Sequence, residues 1–132
     1  MSMDAKILKW SLLAGVAYFT CMAIAHFISF KVPILFIYYD VPFYAYQDKI
    51  IAFCAVTYAC LFYAAAMNRP TVPAALVSIC VTVAGLAAVN LSGALASVMT
   101  APSTIAYWIQ TVMIGAYALW LVAFFVRSDQ VA

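Results

Sequence analysis

Four long runs of apolar residues constrain this chain more than any other feature. A bilayer core about 30 Å thick needs roughly 20 residues of helix to cross it. By that criterion the spans cover about residues 8–30, 48–67, 72–92 and 104–126. Hydrophobic residues make up 70% of the 132 residues and charged residues 8%, too few polar side chains for the surface of a soluble domain. The sequence therefore predicts an all-α fold, an integral membrane four-helix bundle that forms a single transmembrane domain.

Short polar breaks predict how the spans are connected. Lys31 and Pro33 should end the first helix near Phe30, because proline donates no backbone hydrogen bond and disfavours helix in the residue before it. The turn 67–70 (Met-Asn-Arg-Pro) is so short that the second and third spans must be antiparallel neighbours. The predicted order of the spans is up, down, up and down, with the first and third loops on the same face.

The positive charges predict the orientation, because cytoplasmic loops carry an excess of Lys and Arg. One face has Lys6, Lys9, Arg69 and Arg127. The other has only Lys31 and Lys49. Both termini are therefore predicted to be cytoplasmic, and loop 31–47 extracytoplasmic. The simplest location is the inner (cytoplasmic) membrane of a bacterium, and an organelle membrane is the alternative.

The first apolar run also contains the pattern Ala23-Ile24-Ala25, which resembles a signal-peptide cleavage site. Cleavage after Ala25 would make His26 the N-terminal residue, and its amine and imidazole could together chelate copper. Because the apolar run continues to Phe30, the first helix is interpreted as a true span.

Loop 31–47 is rich in aromatic residues, with four tyrosines within nine positions, 38–46. The simpler interpretation is an aromatic belt at headgroup depth, because tyrosine is apolar with one polar end. The loop is also too apolar to lie free in water. It could fold back over the mouth of the bundle and line a pocket for a lipid or a hydrophobic small molecule.

Two carboxylates and a phenol accompany this loop. Asp40 and Pro42 resemble an N-cap and a first-turn proline, so the second helix is predicted to begin near position 42. Asp40, Tyr44 and Asp48 would then share one face of that helix. The alternative is that Asp40 only caps the helix and that Asp48 pairs with a nearby lysine or a lipid headgroup.

His26 lies near the outer end of the first span, and an ionisable residue at membrane depth is a functional candidate by default. Its possible partners are Asp40, Asp48 and Asn90. Paired with a carboxylate, it could relay protons or orient a substrate. The alternative is a structural histidine bonded to backbone or to a loop tyrosine. No metal site is predicted, and no cofactor is identified.

Small residues dominate the third span, among them Gly85, Ala88 and Ser92. Because small residues let membrane helices approach closely, this helix is predicted to be the most buried one or the contact with a second copy or another membrane protein. Asn90 within it needs a partner, since an unpaired amide in lipid is costly. An interhelical bond and a pocket contact with His26 are the two possibilities.

Three functional hypotheses follow, and none involves nucleic acid, because the few cations form no basic patch. A non-catalytic accessory or interaction subunit is favoured, since the sequence has no H-E-x-x-H, G-x-S-x-G or phosphate-loop motif. The second hypothesis is binding or transport of a lipid or hydrophobic small molecule at a pocket near the non-cytoplasmic face, formed by His26, Asp40, Tyr44, Asp48 and Asn90. The third is a membrane enzyme with His26 and Asp48 as acid/base pair.

Overall fold

The structure is a computed structural model that describes residues 2–32, 35, 44–98 and 103–129 of the chain. Its regular elements are all helices. They are α1 (Met3–Phe27), α2 (Ala45–Met67), a 3-10 turn (Arg69–Thr71), α3 (Val72–Leu91), the short α4 (Gly93–Val98) and α5 (Ile105–Asp129).

Four helical segments among the described residues are long and apolar enough to cross a membrane. They comprise α1, α2, α3 with the 3-10 turn before it, and α5, and their mean hydropathies lie between 1.6 and 2.3. Only 22% to 28% of the residues in their apolar windows are buried inside the protein. Most of this apolar surface therefore faces outwards, which is favourable in lipid and unfavourable in water. The predictions of an all-helical fold and of four long apolar helices are confirmed, and these helices point to a membrane protein.

The long helices pack in a closed ring, in which α1 contacts α2 and α5, and α3 contacts α5 and α2. The α1–α2 contact is the most extensive. One face of α2 carries a small buried residue every three or four positions, which allows this close approach. The buried alanines of that face are Ala52, Ala55 and Ala59. Larger side chains, including Leu12, Phe62, Ile79 and Leu121, fill the centre of the bundle.

Backbone capping ends α1 at Phe27, three residues before the predicted position. Ser29 adopts a left-handed conformation with φ 61°. The Phe30 N–H donates to the Ala25 carbonyl at 2.7 Å, and the Ser29 N–H donates to the His26 carbonyl at 3.2 Å. These two bonds form a Schellman motif. The helix therefore stops before the lysine and proline that were expected to end it.

The helix starts also differ from the sequence expectations. The Ser2 hydroxyl accepts from the Ala5 N–H at 3.2 Å and caps α1, so this helix begins at Met3 rather than near residue 8. The N-cap of α2 is Tyr44, without a side-chain capping bond, and the helix begins at Ala45 rather than near position 42. The predicted cap, Asp40, lies outside the described residues.

Ionic and polar contacts join three parts of the chain at one end of the bundle. Arg127 Nη2 lies 3.3 Å from Asp4 Oδ1, and Arg69 Nη2 donates to Ser128 Oγ at 3.0 Å. The start of α1, the end of α5 and the turn between α2 and α3 therefore meet at this end, which we call the turn end. The opposite end, where α1 ends and α2 begins, is called the loop end.

Helix α3 is not the most buried helix. Its buried residues, Val72, Ala75, Leu76 and Ile79, all lie in its first half. Gly85 and Ala88 are exposed, and Ser92 is half-buried. Small residues allow close packing without dictating it, and here the tight helix contact uses α2 instead. A contact of the α3 small residues with a second copy or another membrane protein stays a prediction.

Candidate functional site

A buried histidine and aspartate join α1 and α2 at the loop end. His26 lies in the last turn of α1 and Asp48 in the first turn of α2. Although the two residues are 22 positions apart, His26 Nδ1 lies 2.5 Å from Asp48 Oδ1. The exposed fractions are 7% for His26 and 3% for Asp48. The packing of α1 along α2 places these two turns side by side and closes the bond.

Asp48 has one oxygen that this bond leaves unsatisfied. Its Oδ2 is buried and has no hydrogen-bond partner among the described residues. The neighbouring Lys49 lies over the Phe27 ring instead, with Nζ 5.6 Å from the ring centroid, a cation–π geometry. A buried polar atom without a donor is destabilising. The burial of this oxygen therefore lowers the stabilisation that the pair provides.

The chemistry open to this pair follows from its geometry. In a neutral imidazole that donates from Nδ1 to the carboxylate, Nε2 becomes the acceptor, so Asp48 fixes both the tautomer and the ring orientation of His26. The two side chains lie within hydrogen-bond reach of each other, a contact that the acid/base hypothesis requires. Neither side chain lines either of the two cavities described below. As it stands, the arrangement is that of an interhelical polar pair.

The other three candidate residues are not part of this pair. Asp40 lies outside the described residues, and Tyr44 is 60% exposed at the start of α2. Asn90 Nδ2 donates to Thr111 Oγ1 at 2.9 Å, a bond between α3 and α5. Thr111 in turn donates to the Tyr107 carbonyl at 2.9 Å. The interhelical role considered for Asn90 is therefore present, and a common site for all five residues stays a prediction.

An apolar cavity of about 250 Å³ lies between α1, α3 and α5. We call it the loop-half cavity, because along α1 it extends from the middle of the helix towards the loop end. Its described wall is almost wholly apolar, although two tyrosines and a glutamine are among the side chains that line it. The lining residues are Ala14, Gly15, Tyr18, Phe19, Ile79, Gln110, Met113, Ile114 and Tyr117.

A close approach at Gly15 closes the cavity towards the turn end. A Cβ atom at Gly15 would lie 2.7 Å from Phe62 Cδ1 and closer still to the Tyr117 hydroxyl. That hydroxyl donates to the Ser11 carbonyl at 2.8 Å and ties α5 to α1. Glycine is therefore required here for steric reasons, because any side chain would displace one of the two rings.

Tyr18 connects the cavity wall to loop 31–47. Its hydroxyl donates to the Leu35 carbonyl at 2.9 Å, and the Gln110 side chain also hydrogen-bonds to it. Tyr18 precedes Phe27 by nine residues, so its backbone lies about 13 Å along α1 from the helix end. At Leu35 the loop therefore lies against the bundle beside the cavity, as expected of a loop that folds back.

Sequence reasoning singled out none of the polar residues of this cavity. Gln110 carried a usable signal, because an amide within an apolar span needs a partner in the same way as Asn90. Tyr18 and Tyr117 carried none, since tyrosines are common in such helices. Gly15 carried none either, because a glycine in a membrane helix does not reveal which neighbour approaches it.

No known protein family matches this chain, and neither does any curated protein or solved structure. Among the described residues, no three His, Cys, Asp or Glu side chains come together as potential metal ligands. The functional argument therefore rests on the geometry and chemistry of the chain's own side chains.

Proposed function

We propose that this protein binds an uncharged, hydrophobic small molecule in the loop-half cavity. One observation carries the proposal: an almost wholly apolar cavity of about 250 Å³ has Tyr18, Gln110 and Tyr117 among the side chains that line it. A predominantly apolar pocket with a few convergent polar groups is the usual form of a small-molecule site.

The size and polarity of the cavity define the class of ligand. An apolar cavity of about 150 Å³ is large enough for benzene. The volume of about 250 Å³ therefore suits a ring-sized group with a polar substituent. The described lining of the cavity contains no charged residue, so an ion would lose its hydration without gaining a counter-charge there. The Gln110 side chain hydrogen-bonds to Tyr18, and the remaining hydrogen-bonding capacity of its amide is open to the polar substituent.

The proposal includes a membrane topology. The four helical segments cross the bilayer in alternating directions, with the turn end cytoplasmic and loop 31–47 extracytoplasmic. The distribution of Lys and Arg supports this orientation, since Lys6, Lys9, Arg69 and Arg127 belong to the turn end. In that orientation the cavity belongs to the extracytoplasmic half, and the loop tyrosines lie at headgroup depth as an aromatic belt. A bacterial cytoplasmic membrane remains the simplest location.

Native mass spectrometry of the tagged protein, purified in mild detergent, tests the proposal. We expect wild type to retain a small molecule that Ala14→Phe loses, because Ala14 lines the cavity and the larger ring would fill it. The matched control is Ala17→Phe, the same change on the same helix at an exposed position outside the lining. It should retain the molecule. Gln110→Leu should weaken retention by removing the amide.

The outcomes separate this proposal from the two other hypotheses. Equal retention by Ala14→Phe and Ala17→Phe would reject the cavity as the site. A stoichiometric protein partner without any small molecule would favour the accessory subunit, for which the exposed Gly85 and Ala88 of α3 offer a contact. A molecule lost in Asp48→Asn but kept in Ala14→Phe would move the site to the His26–Asp48 pair and favour an enzyme.

A further inference from the structure

A second cavity, at the turn end, combines apolar walls with two cations. It measures about 250 Å³ and lies between α1, α2 and the 3-10 turn. Its walls include Leu8, Leu12 and Val72, and Lys9 and Arg69 also line it. The described lining contains no carboxylate. We call this feature the turn-end groove.

Neighbouring contacts fix the position of the Arg69 guanidinium. Arg69 donates to Ser128 Oγ at 3.0 Å, and its Cζ lies 5.4 Å from the centroid of the Phe125 ring. Lys9 is half-buried on α1. The nearby Asp4 pairs with Arg127 at 3.3 Å. The groove therefore presents an ammonium and an oriented guanidinium at the end of the bundle where lipid headgroups would lie.

From these observations we infer that the turn-end groove binds an anionic phospholipid of the bilayer. The phosphate lies between Lys9 and Arg69, and one acyl chain follows the apolar wall along α1. The lining residues from Ala5 to Leu12 span seven residue steps of helix, a length of about 10 Å, which accommodates several methylene groups. Basic pockets between membrane helices on the cytoplasmic side bind such headgroups.

The two cations and the apolar wall together favour an anionic membrane lipid over other ligands. A free phosphate would use the two cations but not the wall, and a zwitterionic lipid would use the wall but gain less from the cations. The inference is independent of the proposed ligand in the loop-half cavity, because different residues line the two sites.

Lipid titration of the purified full chain, followed by native mass spectrometry, tests the inference. The probes are phosphatidylglycerol and phosphatidylcholine with identical acyl chains. Wild type should retain one phosphatidylglycerol in preference to phosphatidylcholine. Since a cation near the membrane surface contributes on the order of 1 kcal/mol, Lys9→Gln should weaken phosphatidylglycerol retention about fivefold, and Lys9→Gln with Arg69→Gln about 25-fold. Retention of phosphatidylcholine should change little.

Lys6→Gln is the matched control, because it removes the same charge three residues away from a position outside the groove lining. It should leave phosphatidylglycerol retention within about twofold of wild type. An effect as large as that of Lys9→Gln would show general surface attraction and overturn the inference. Equal retention of both lipids by wild type would also overturn it, as would displacement of the lipid by an excess of inorganic phosphate.

Ala5→Leu tests the acyl wall without changing any charge. Ala5 lines the groove, and the larger side chain should reduce retention of both lipids by occupying that space. Unchanged retention would reject the placement of the acyl chain.

Arg69→Lys covers the case in which Arg69→Gln fails to fold, because it keeps the charge while removing the planar guanidinium. It should retain phosphatidylglycerol better than Lys9→Gln does, and a weaker retention would contradict the assigned roles.

Discussion

Replacing His26 with Phe should destabilise the fold by about 3–5 kcal/mol, the range for removing the partner of a buried charged group. The change leaves Asp48, which is 3% exposed, without the 2.5 Å bond to its Oδ1. Because Oδ2 already has no partner among the described residues, the carboxylate would keep no described side-chain hydrogen bond. Loss of a hydrogen bond to a charged group contributes about 1.5–3 kcal/mol, and the stranded buried group adds about 1–3 kcal/mol.

The converse change, Asp48→Leu, should be less costly, about 1–3 kcal/mol, because the imidazole that remains can be neutral. The double variant His26→Phe/Asp48→Leu replaces both partners with apolar groups. It should therefore lie within about 1 kcal/mol of wild type. The double-mutant cycle is then expected to give a coupling energy of at least about 2 kcal/mol.

Reversible unfolding in mixed micelles of SDS and mild detergent measures these differences, with fluorescence of the three tryptophans as the signal. The matched control is the cycle of Asn90→Leu and Thr111→Val, which removes a neutral interhelical bond of 2.9 Å. Its coupling should be about 0.6 kcal/mol, typical of such bonds in membrane helices. Additive losses for His26 and Asp48, or a cost below about 1 kcal/mol for His26→Phe, would refute the reasoning.

Three further predictions use the same unfolding assay. Gly15→Ala should destabilise by about 1–3 kcal/mol through overpacking, because its Cβ would lie 2.7 Å from the Phe62 ring. Gly85→Ala is the control and should not destabilise, because a Cβ there would meet no described atom within 4 Å outside its own helix backbone and chain neighbours. Equal losses would contradict the steric argument. Ser29→Gly should stabilise by about 1 kcal/mol by relieving the left-handed φ of 61°, and a loss of stability would show that the Ser29 side chain has a role of its own. Arg127→Gln should change stability by less than about 1 kcal/mol, since the Arg127 side chain is 61% exposed, and a larger loss would reveal a cooperative network at the turn end.

Length and composition suffice to predict the four apolar helices, because crossing a bilayer demands about 20 apolar residues whatever the packing. The helix ends are local events that hydropathy does not report. Ser29 ends α1 in a left-handed conformation that glycine usually adopts. A serine at this position therefore does not predict the helix end. Ser2 is an ordinary N-cap residue, yet it precedes polar residues that a hydropathy criterion places outside the span.

The sequence predicts the contacts of the candidate site that follow from the order of the helices. It does not predict those that depend on which face of each helix points into the bundle. Adjacent antiparallel helices bring the end of one beside the start of the next, so Asp48 was a reasonable partner for His26. The loop-half cavity depends on the rotation of α1, α3 and α5 about their axes. Lipid-facing and buried positions are similarly apolar in a membrane helix, so periodicity does not identify the inner face.

The burial of small residues is equally hard to predict from the sequence. Both α2 and α3 carry them at three- and four-residue spacing, which permits close packing for either helix. In the structure Ala52 and Ala55 of α2 are buried, at 3% and 2% exposure, whereas Gly85 and Ala88 of α3 are exposed. This difference in burial comes from the helix that each set of small residues packs against. The buried face of α2 lies against α1 in the most extensive helix contact of the bundle, whereas the buried residues of α3 all lie in its first half.

Helix α1 forms a wall of both proposed binding sites, and their separation follows from its packing. The turn-end groove uses α1 residues 5–12, and the loop-half cavity uses residues 14–19. Between them, Tyr117 bonds to the Ser11 carbonyl, and Phe62, with 0% exposure, packs against Gly15. Because interiors this tightly packed leave no passage for a ligand, an anionic lipid at the turn end and a hydrophobic molecule in the loop half would bind at separate sites. Gly15 is the residue that makes this division possible, since any larger side chain would force apart the rings that separate the two sites.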